Sequence, residues 1–450
     1  MSTDTAAFSG PTRLQDNTDL LELVNESMAH VSRRVYVDPE LYQIEQERLF
    51  RRAWLFLAHE TELPNKGDYV TRNLAGESVV LVRGDDGVVR GFLNSCRHRG
   101  MKLCRADNGT IPFFRCSYHG WTYSRTGALR AVFAKDLYQD SNLRKEELGL
   151  IPITRLDSYK GLIFGSWSSE VPPLPDYLGK MRFYLDLFLG RTDGGTEIVG
   201  TPQIWNIEAN WKFPTDNFTG DNFHLYSTHG SVVELGLVPP DPMSLSYGHL
   251  IRAEGGHVLH VVPGAPDPAY EFFGLPKQLV PQLERNLNPA QLGLAKKYAF
   301  SVGTVFPNLS FLQVMIQGDA SSPPTPFLSF RFWEPTGPTS TRIWSYLFID
   351  KEASPEYRKA SYETYVRTFG PSGIFEQDDL ENWEECSRVN KGQIAQRYGL
   401  HHGMGLHLQP DPDFPGPGDA WPGSYGERTQ LAFYGEWQRW LTQAKPWVRP

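Results

Sequence analysis

Two short stretches of this 450-residue chain carry side chains that do metal chemistry. The first is Cys96-Arg97-His98, followed after seventeen residues by Cys116-Ser117-Tyr118-His119. Each half joins one thiol to one imidazole, as C-x-H and C-x-x-H. Mixed thiolate and imidazole donors suit zinc or an iron–sulfur centre. Structural zinc fingers pair C-x-x-C with two His, whereas both halves here are mixed. Two such loops can clamp a two-iron cluster from opposite sides, with two Cys on one iron and two His on the other. Neutral imidazoles in place of anionic thiolates raise the potential of such a cluster, which passes single electrons.

The second stretch runs from Asn217 to His229 and holds Asp221, His224 and His229. A regular helix advances about 100° per residue, so His224 and His229 would lie about 140° apart. Binding one metal through both requires the helix to break or bulge between them. Two His and one carboxylate form a facial set that holds non-haem Fe(II) and leaves positions open for dioxygen. The third ligand must come from elsewhere, and Gln377-Asp378-Asp379-Leu380-Glu381 offers carboxylates on a helix-patterned run.

The elements that must position these groups differ along the chain. Residues 1–37 are polar, with a helical pattern around Asp19 to Val31. A second helix is predicted from Pro39 to Phe50, with Leu41, Ile44 and Leu49 on its apolar face. After Trp54 short β-branched runs alternate with turn signals: Tyr69 to Thr71, Ser78 to Val82, and Val88-Val89 behind the turn Asp85-Asp86-Gly87. The texture persists to Gly161–Phe164, so residues 38–158 read as a small all-β domain around the Cys/His motif. Pro172-Pro173-Leu174-Pro175 marks a break. Beyond it, strand patterns (Gly256 to Val262, Phe327 to Phe332, Thr341 to Phe348) mix with helix patterns (Pro355 to Phe369, Ile374 to Arg397). Residues 159–450 read as an α+β domain. Gln409 to Gly426 is Gly/Pro-rich and reads as a surface loop or arm, with Trp421 and Tyr425 able to dock.

Composition narrows the classes. Hydrophobic and charged fractions of 40% and 21% are those of a globular chain. A net charge of -8 argues against nucleic acid as the partner. No run of about 18 apolar residues calls for a membrane span, and Met-Ser-Thr-Asp-Thr-Ala opens no signal peptide. Four Cys, two of them in the motif, fit a reducing compartment, so the expected location is cytoplasmic.

Together the motifs resemble one family. The flanks Arg99-Gly100 and Gly120-Trp121 around the Cys/His pairs are similar to Rieske domains. Asn210-Trp211-Lys212, the Asn217–His229 stretch and Phe375-Glu376-x-Asp378-Asp379 follow in the order found in Rieske non-haem iron aromatic-ring-hydroxylating dioxygenases, large (alpha) subunit. The resemblance runs from Arg34 to at least Trp440. It implies an α+β chain in which a small all-β Rieske domain is inserted near the N-terminus of a larger catalytic domain with an antiparallel sheet and helices. The segment 1–37 then packs with the catalytic domain.

It also implies roles. Cys96 and Cys116 would bind one iron of a [2Fe–2S] cluster, and His98 and His119 the other. His224, His229 and Asp379 would bind a mononuclear Fe(II). Asp378 falls beside the ligand, as a surface or supporting carboxylate. Asp221 would link His119 of one chain to His224 of the next in a trimer. Cys104 reads as a buried apolar residue. Phe223 and Asp216 stand where the family often has Tyr and Glu. Pocket candidates are Asn217, Phe218, Leu225, Asn308, Phe369 and Phe375, whose apolar character favours arene or polycyclic hydrocarbons. An aromatic acid would need a buried Arg or Lys, and no motif places Lys212 or Arg252 there.

The implied reaction takes electrons from NADH, through a reductase and a ferredoxin, and turns an aromatic ring and O2 into a cis-dihydrodiol. The alternatives are dioxygenation of an aromatic carboxylic acid and a Rieske monooxygenase or demethylase. The implied partner is a small beta subunit in an alpha3beta3 assembly. Arg97, Arg99, Lys102, Arg105 and Arg115 cluster near the cluster motif, either as internal salt bridges or as a docking face for an acidic ferredoxin.

Overall fold

A computed structural model describes residues 12–443, apart from 139–142, 239–240 and 265–266. The ends of the 1–37 and 159–450 segments therefore lie outside the described residues. The chain divides into two compact units, residues 50–174 and residues 1–49 with 175–450. The small unit starts and ends later than 38–158. Leu162–Ser166 pairs with Leu55–His59, which draws the chain past 158 into it. The helix Pro39–Glu45 belongs to the large unit, and its last turns, Gln46–Phe50, widen to a π-helix.

The small unit is all-β around its metal motif. Val89–Leu93, Glu77–Arg83, Asp68–Leu74 and Asn108–Thr110 form one antiparallel sheet. Leu129–Ala131, Thr122–Tyr123 and Phe114–Arg115 form a second, and Arg155–Tyr159, Leu162–Ser166 and Leu55–His59 a third. Inward residues Val80, Val82, Phe92, Phe114 and Tyr123 pack around Cys96 and Cys116 in one core cluster.

The large unit is built on a nine-stranded antiparallel sheet. Residues directly opposite across strands share a face. One rung runs Val258–Thr304–Ser310–Arg331–Ser345–Gln203. Two of its hydroxyls accept bonds from ring side chains. Trp333, two residues beyond Arg331 on the same strand, donates Nε1 to Ser310 Oγ at 2.7 Å, and Tyr365, from the helix Pro355–Phe369, donates its OH to Ser345 Oγ at 2.6 Å. The opposite face is aromatic: Phe311, Phe330 and Phe348 stack in succession, and Phe188 covers Phe311 at 5.2 Å. Each such fully buried ring contributes roughly 1.5–3 kcal/mol.

Three local expectations change. Asp19 to Val31 is not a helix but two 3-10 turns, Leu20–Glu22 and Glu26–Met28, each capped by the side chain before it, Asp19 or Asn25. The helix from Ile374 ends at Asn390, and Ala395–Arg397 is a separate 3-10 turn. Within the Gly/Pro-rich 409–426 segment, Asp419–Pro422 is a strand on the sheet edge beside His249–Glu254, with Trp421 buried. The helices Pro355–Phe369 and Ile374–Asn390 pack on the sheet and on each other. Among the described residues no helix is long and apolar enough to cross a membrane.

Candidate metal centres

In the small unit the two motif loops have the same backbone geometry. Cys96 N donates to Met101 O and Gly100 N to Cys96 O, both at 2.9 Å. Cys116 N donates to Trp121 O at 2.8 Å and Gly120 N to Cys116 O at 3.0 Å. Each loop closes on a glycine with positive φ, +72° at Gly100 and +71° at Gly120, a conformation that favours glycine. Both Cys are buried and free of disulfides. Burial pushes the Cys96 thiol up, and Tyr123 OH lies 3.3 Å from its Sγ. The His98 and His119 rings meet edge to face at 4.6 Å and 72°, with Trp121 stacked on His98 at 4.9 Å and 5°. The buried Nδ1 atoms of both His have no hydrogen-bond partner among the described residues. The four donors thus pair as thiol with thiol and imidazole with imidazole. No three of them converge on one point, as a single tetrahedral zinc would require. This donor set fits a two-iron cluster. Cys104 is buried with its thiol pushed up to about 12 by burial, as an inert core residue would be. Arg97, Arg99, Lys102, Arg105 and Arg115 are all exposed.

In the large unit the helix is broken as the spacing demands. Lys212–Asn217 ends at Phe218, and Gly220 follows with φ +133°. A Cβ there would meet Leu250 and Thr429 at 2.9 Å, so the turn requires glycine. His224 precedes the short helix Leu225–Thr228, and His229, with φ -102° and ψ 37°, separates it from the next, Gly230–Glu234. Both rings then reach Asp379 on the helix Ile374–Asn390. His224 Nε2 and His229 Nε2 lie 3.4 and 3.3 Å from the same Asp379 Oδ1. The three ligand atoms sit within 4.8 Å of one another.

The other ring nitrogens are held. His224 Nδ1 lies 2.5 Å from Asp221 O, and His229 Nδ1 lies 3.2 Å from Asp378 Oδ2. Asp378 thus orients a ring and leaves each Nε2 free to bind a cation. Burial would raise the Asp379 carboxyl, but the two His override it and hold it well below the usual range. Burial likewise opposes the charged form of His224, yet Asp221 and Asp379 hold its pKa well above the ordinary value. A site this anionic favours a metal cation in the proton's place. His, His and carboxylate fit mononuclear iron.

A cavity of about 310 Å³ opens beside this triad. Asp216, Asn217, Asp221, His224, Asp379, His402 and Glu427 line it, together with the rings of Phe213, Phe223 and Trp383 and the thiol of Cys386. On the other side lies an apolar cluster. Phe375 meets His229 edge-on at 4.9 Å and stacks on Phe369 at 5.1 Å and 11°. Leu225, Val232, Val233, Val238 and Ile316 complete it. Of the pocket candidates, Leu225, Phe369 and Phe375 thus fall in this cluster, and Asn217 lines the cavity. Phe218 is buried against Trp333. Asn308 is buried, and its Nδ2 donates to Trp333 O at 2.8 Å. Sequence reasoning missed His402, Glu427 and the buried Arg331, which come from segments with no motif spacing. Asp216, noted only as a departure, holds Tyr434 OH at 2.6 Å and stands 3.6 Å from His402 Nε2.

Two family models match the chain: Rieske [2Fe-2S] domain over residues 53–139, and Ring hydroxylating alpha subunit (catalytic domain) over residues 176–443. Biphenyl 2,3-dioxygenase subunit alpha of Rhodococcus jostii is 35% identical, across 95% of this chain and 92% of that protein. The alpha subunit of N,N-dimethyl phenylurea N-demethylase of Sphingobium sp. is 31% identical, across 92% and 91%. The crystal structure of naphthalene 1,2-dioxygenase from Rhodococcus sp. bound to indole superposes with a TM-score of 0.91 at 45% identity, covering 94% of this chain and 96% of that one.

Proposed function

This chain belongs to the family of Rieske ring-hydroxylating dioxygenase alpha subunits, and on that premise we propose that it cis-dihydroxylates an arene or polycyclic aromatic hydrocarbon. The observation that carries the reading is the convergence of His224, His229 and Asp379 beside an aromatic cluster. These three residues hold the mononuclear iron. Cys96, Cys116, His98 and His119 hold the [2Fe–2S] cluster. Bound together, the two groups supply electrons and activated dioxygen. The residues of the chain do the rest. Phe369 and Phe375 form the aromatic wall beside the substrate, and Leu225 closes the apolar side against water. Asp221 holds the His224 ring and would bridge it to His119 of a neighbouring copy, which would shorten the path between the two metal groups. The exposed Arg97, Arg99, Lys102, Arg105 and Arg115 receive an acidic ferredoxin, itself reduced by an NADH-dependent reductase. A small beta subunit completes an alpha3beta3 assembly.

Charge supports a hydrocarbon over an aromatic acid. Three buried cations of the large unit, Arg191, Lys212 and Arg331, are each taken by a carboxylate, Asp350, Glu45 and Glu376, and a fourth, Arg48, donates to Leu441 O. None of them is left over for a substrate anion, and an unpaired buried carboxylate is costly. Oxygen uptake with surrogate ferredoxin and reductase, over arenes and aromatic acids, tests this. Arenes should drive uptake and yield diols, and faster turnover of acids would refute the hydrocarbon reading. Asp221→Ala should keep both metals and lose turnover, and normal turnover would contradict the electron path. The second reading, N-dealkylation, draws on the 31%-identical relative so named. A dealkylated product in place of a diol would establish it.

A further inference from the structure

Arg331 projects from the middle of the sheet, opposite Ser310 on one strand and Ser345 on the other. Those two small neighbours leave room above the sheet for a guanidinium and its company. The side chain is fully buried, which an arginine tolerates only when its charge is met. Four rings surround it, with centroids between 5.3 and 5.8 Å from its Cζ: Phe218, Phe369, Trp333 and Trp205. Nη1 lies 2.6 Å from Glu376 Oε2, and Nη2 donates to Phe369 O at 2.8 Å.

Three of these contacts, to Phe218, Phe369 and Glu376, end on segments that carry the proposed iron site. Phe218 follows Asn217 at the end of the helix that leads to His224. The Phe369 carbonyl closes the helix Pro355–Phe369, and its ring stacks on Phe375. Glu376 stands in the first turn of the helix that carries Asp379, one turn before it and on the same face, and is fully buried too. One side chain therefore ties three separate segments to the rigid sheet. A buried ion pair does not by itself stabilise a fold, since a matched apolar pair often does as well. The retention of a paired charge at this junction calls for another use.

We propose that Arg331 is a positioning residue for the iron site. Through Glu376 it sets the rotation and height of the helix that presents Asp379, and through the Phe369 carbonyl and ring it fixes the aromatic wall beside His229. It touches neither iron nor substrate. The inference rests on Asp379 being an iron ligand, and the test separates the two.

The variants are Arg331→Lys, the double variant Arg331→Met with Glu376→Leu, and Asp379→Asn, each purified as holoenzyme. The readouts are thermal midpoint, mononuclear iron retained against a chelator, and product regiochemistry, with cluster absorbance as an internal control. Partners that orient metal ligands typically govern metal affinity by about 10- to 100-fold. The double variant removes both charges, so it should melt near wild type. It should nevertheless release its mononuclear iron at least about ten-fold faster and shift the product ratio, with the cluster intact. Arg331→Lys keeps the charge but loses the two-armed fork, and should fall between. If the double variant does not fold, Arg331→Lys carries the same test. Wild-type iron retention and regiochemistry in the folded variants would overturn the inference and leave the pair as packing. Iron retained at full level in Asp379→Asn would overturn the ligand reading instead.

Discussion

Glu45 and Lys212 are buried in contact, with side-chain exposures of 1% and 0%. Lys212 Nζ and Trp437 Nε1 share Glu45 Oε1 at 2.5 and 2.7 Å, and Trp211 Nε1 donates to Oε2 at 3.1 Å. The network ties the end of Pro39–Glu45 to the start of Lys212–Asn217 and to the helix Arg428–Gln443. Replacing Glu45 by Gln keeps an oxygen for the indoles but strands an ammonium in the core. Breaking a buried pair from one side costs about 3–5 kcal/mol. At about 2 °C per kcal/mol, the low end for a large unit, calorimetry should show a midpoint lowered by about 6–10 °C. Burial already lowers the Lys212 pKa, with Glu45 opposing it. Without Glu45 the amine falls further and sheds its proton on folding. The unfolded chain then binds more protons than the folded one, so stability rises with pH, by at most about 1.4 kcal/mol per unit. The deficit should therefore shrink between pH 7 and pH 9. Adding Lys212→Met should bring the midpoint back to within about 1 kcal/mol of wild type. A Glu45→Gln midpoint within about 2 °C of wild type, or a double variant no better than the single, would refute the reasoning.

Three other outcomes are expected. Burial disfavours the charged form of His402, but Asp216 outweighs it and raises the pKa. That pair stabilises fully below about pH 6.5, and its contribution is lost as pH rises through the raised value. Asp216→Asn should therefore cost more stability at pH 6 than at pH 9, and equal losses by thermal melt would exclude the charge effect. Cys104→Ala should retain the full visible absorbance of the cluster, and the native Cys104 thiol should resist alkylation at pH 8 until the chain unfolds; a bleached variant would make Cys104 a ligand. Gly220→Ala adds a Cβ that meets Leu250 and Thr429 at 2.9 Å in a backbone region costing roughly 1–3 kcal/mol for other residues. It should lower iron content by metal analysis while the cluster persists, and full iron loading would show that the turn relaxes.

Much of the site was legible because metal chemistry restricts residue types and spacing. The pair His224 and His229 could share a metal only if the helix broke, and the break sits at His229. The bounds of Pro355–Phe369 followed from a proline at the start and a glycine at the end. What was not legible depends on contacts remote in sequence. The strand Asp419–Pro422 hides in a turn-rich segment because its partner, His249–Glu254, supplies the register that its own residues do not. The region Asp19 to Val31 has helix-like polarity, but Asp19 and Asn25 each cap the start of a separate three-residue turn, and Ala29 with φ +53° ends the second. Arg331 and Glu376 meet only because strand register and helix phase coincide, which no local pattern reveals.

The way the large unit is assembled from both ends of the chain governs when it can form. Gln438 bonds to Leu20 O across 418 positions, and His30–Val31 pairs with Leu400–His401. The small unit, by contrast, is one continuous segment. As synthesis proceeds from the N-terminus, the cluster-binding unit emerges whole and can fold at once. The first 49 residues must wait for helix Arg428–Gln443 before their partners exist. Cluster insertion can thus precede completion of the iron site by the time needed to synthesise residues 175–443, and loss of the helix Arg428–Gln443 would strand the first 49 residues while sparing the small unit.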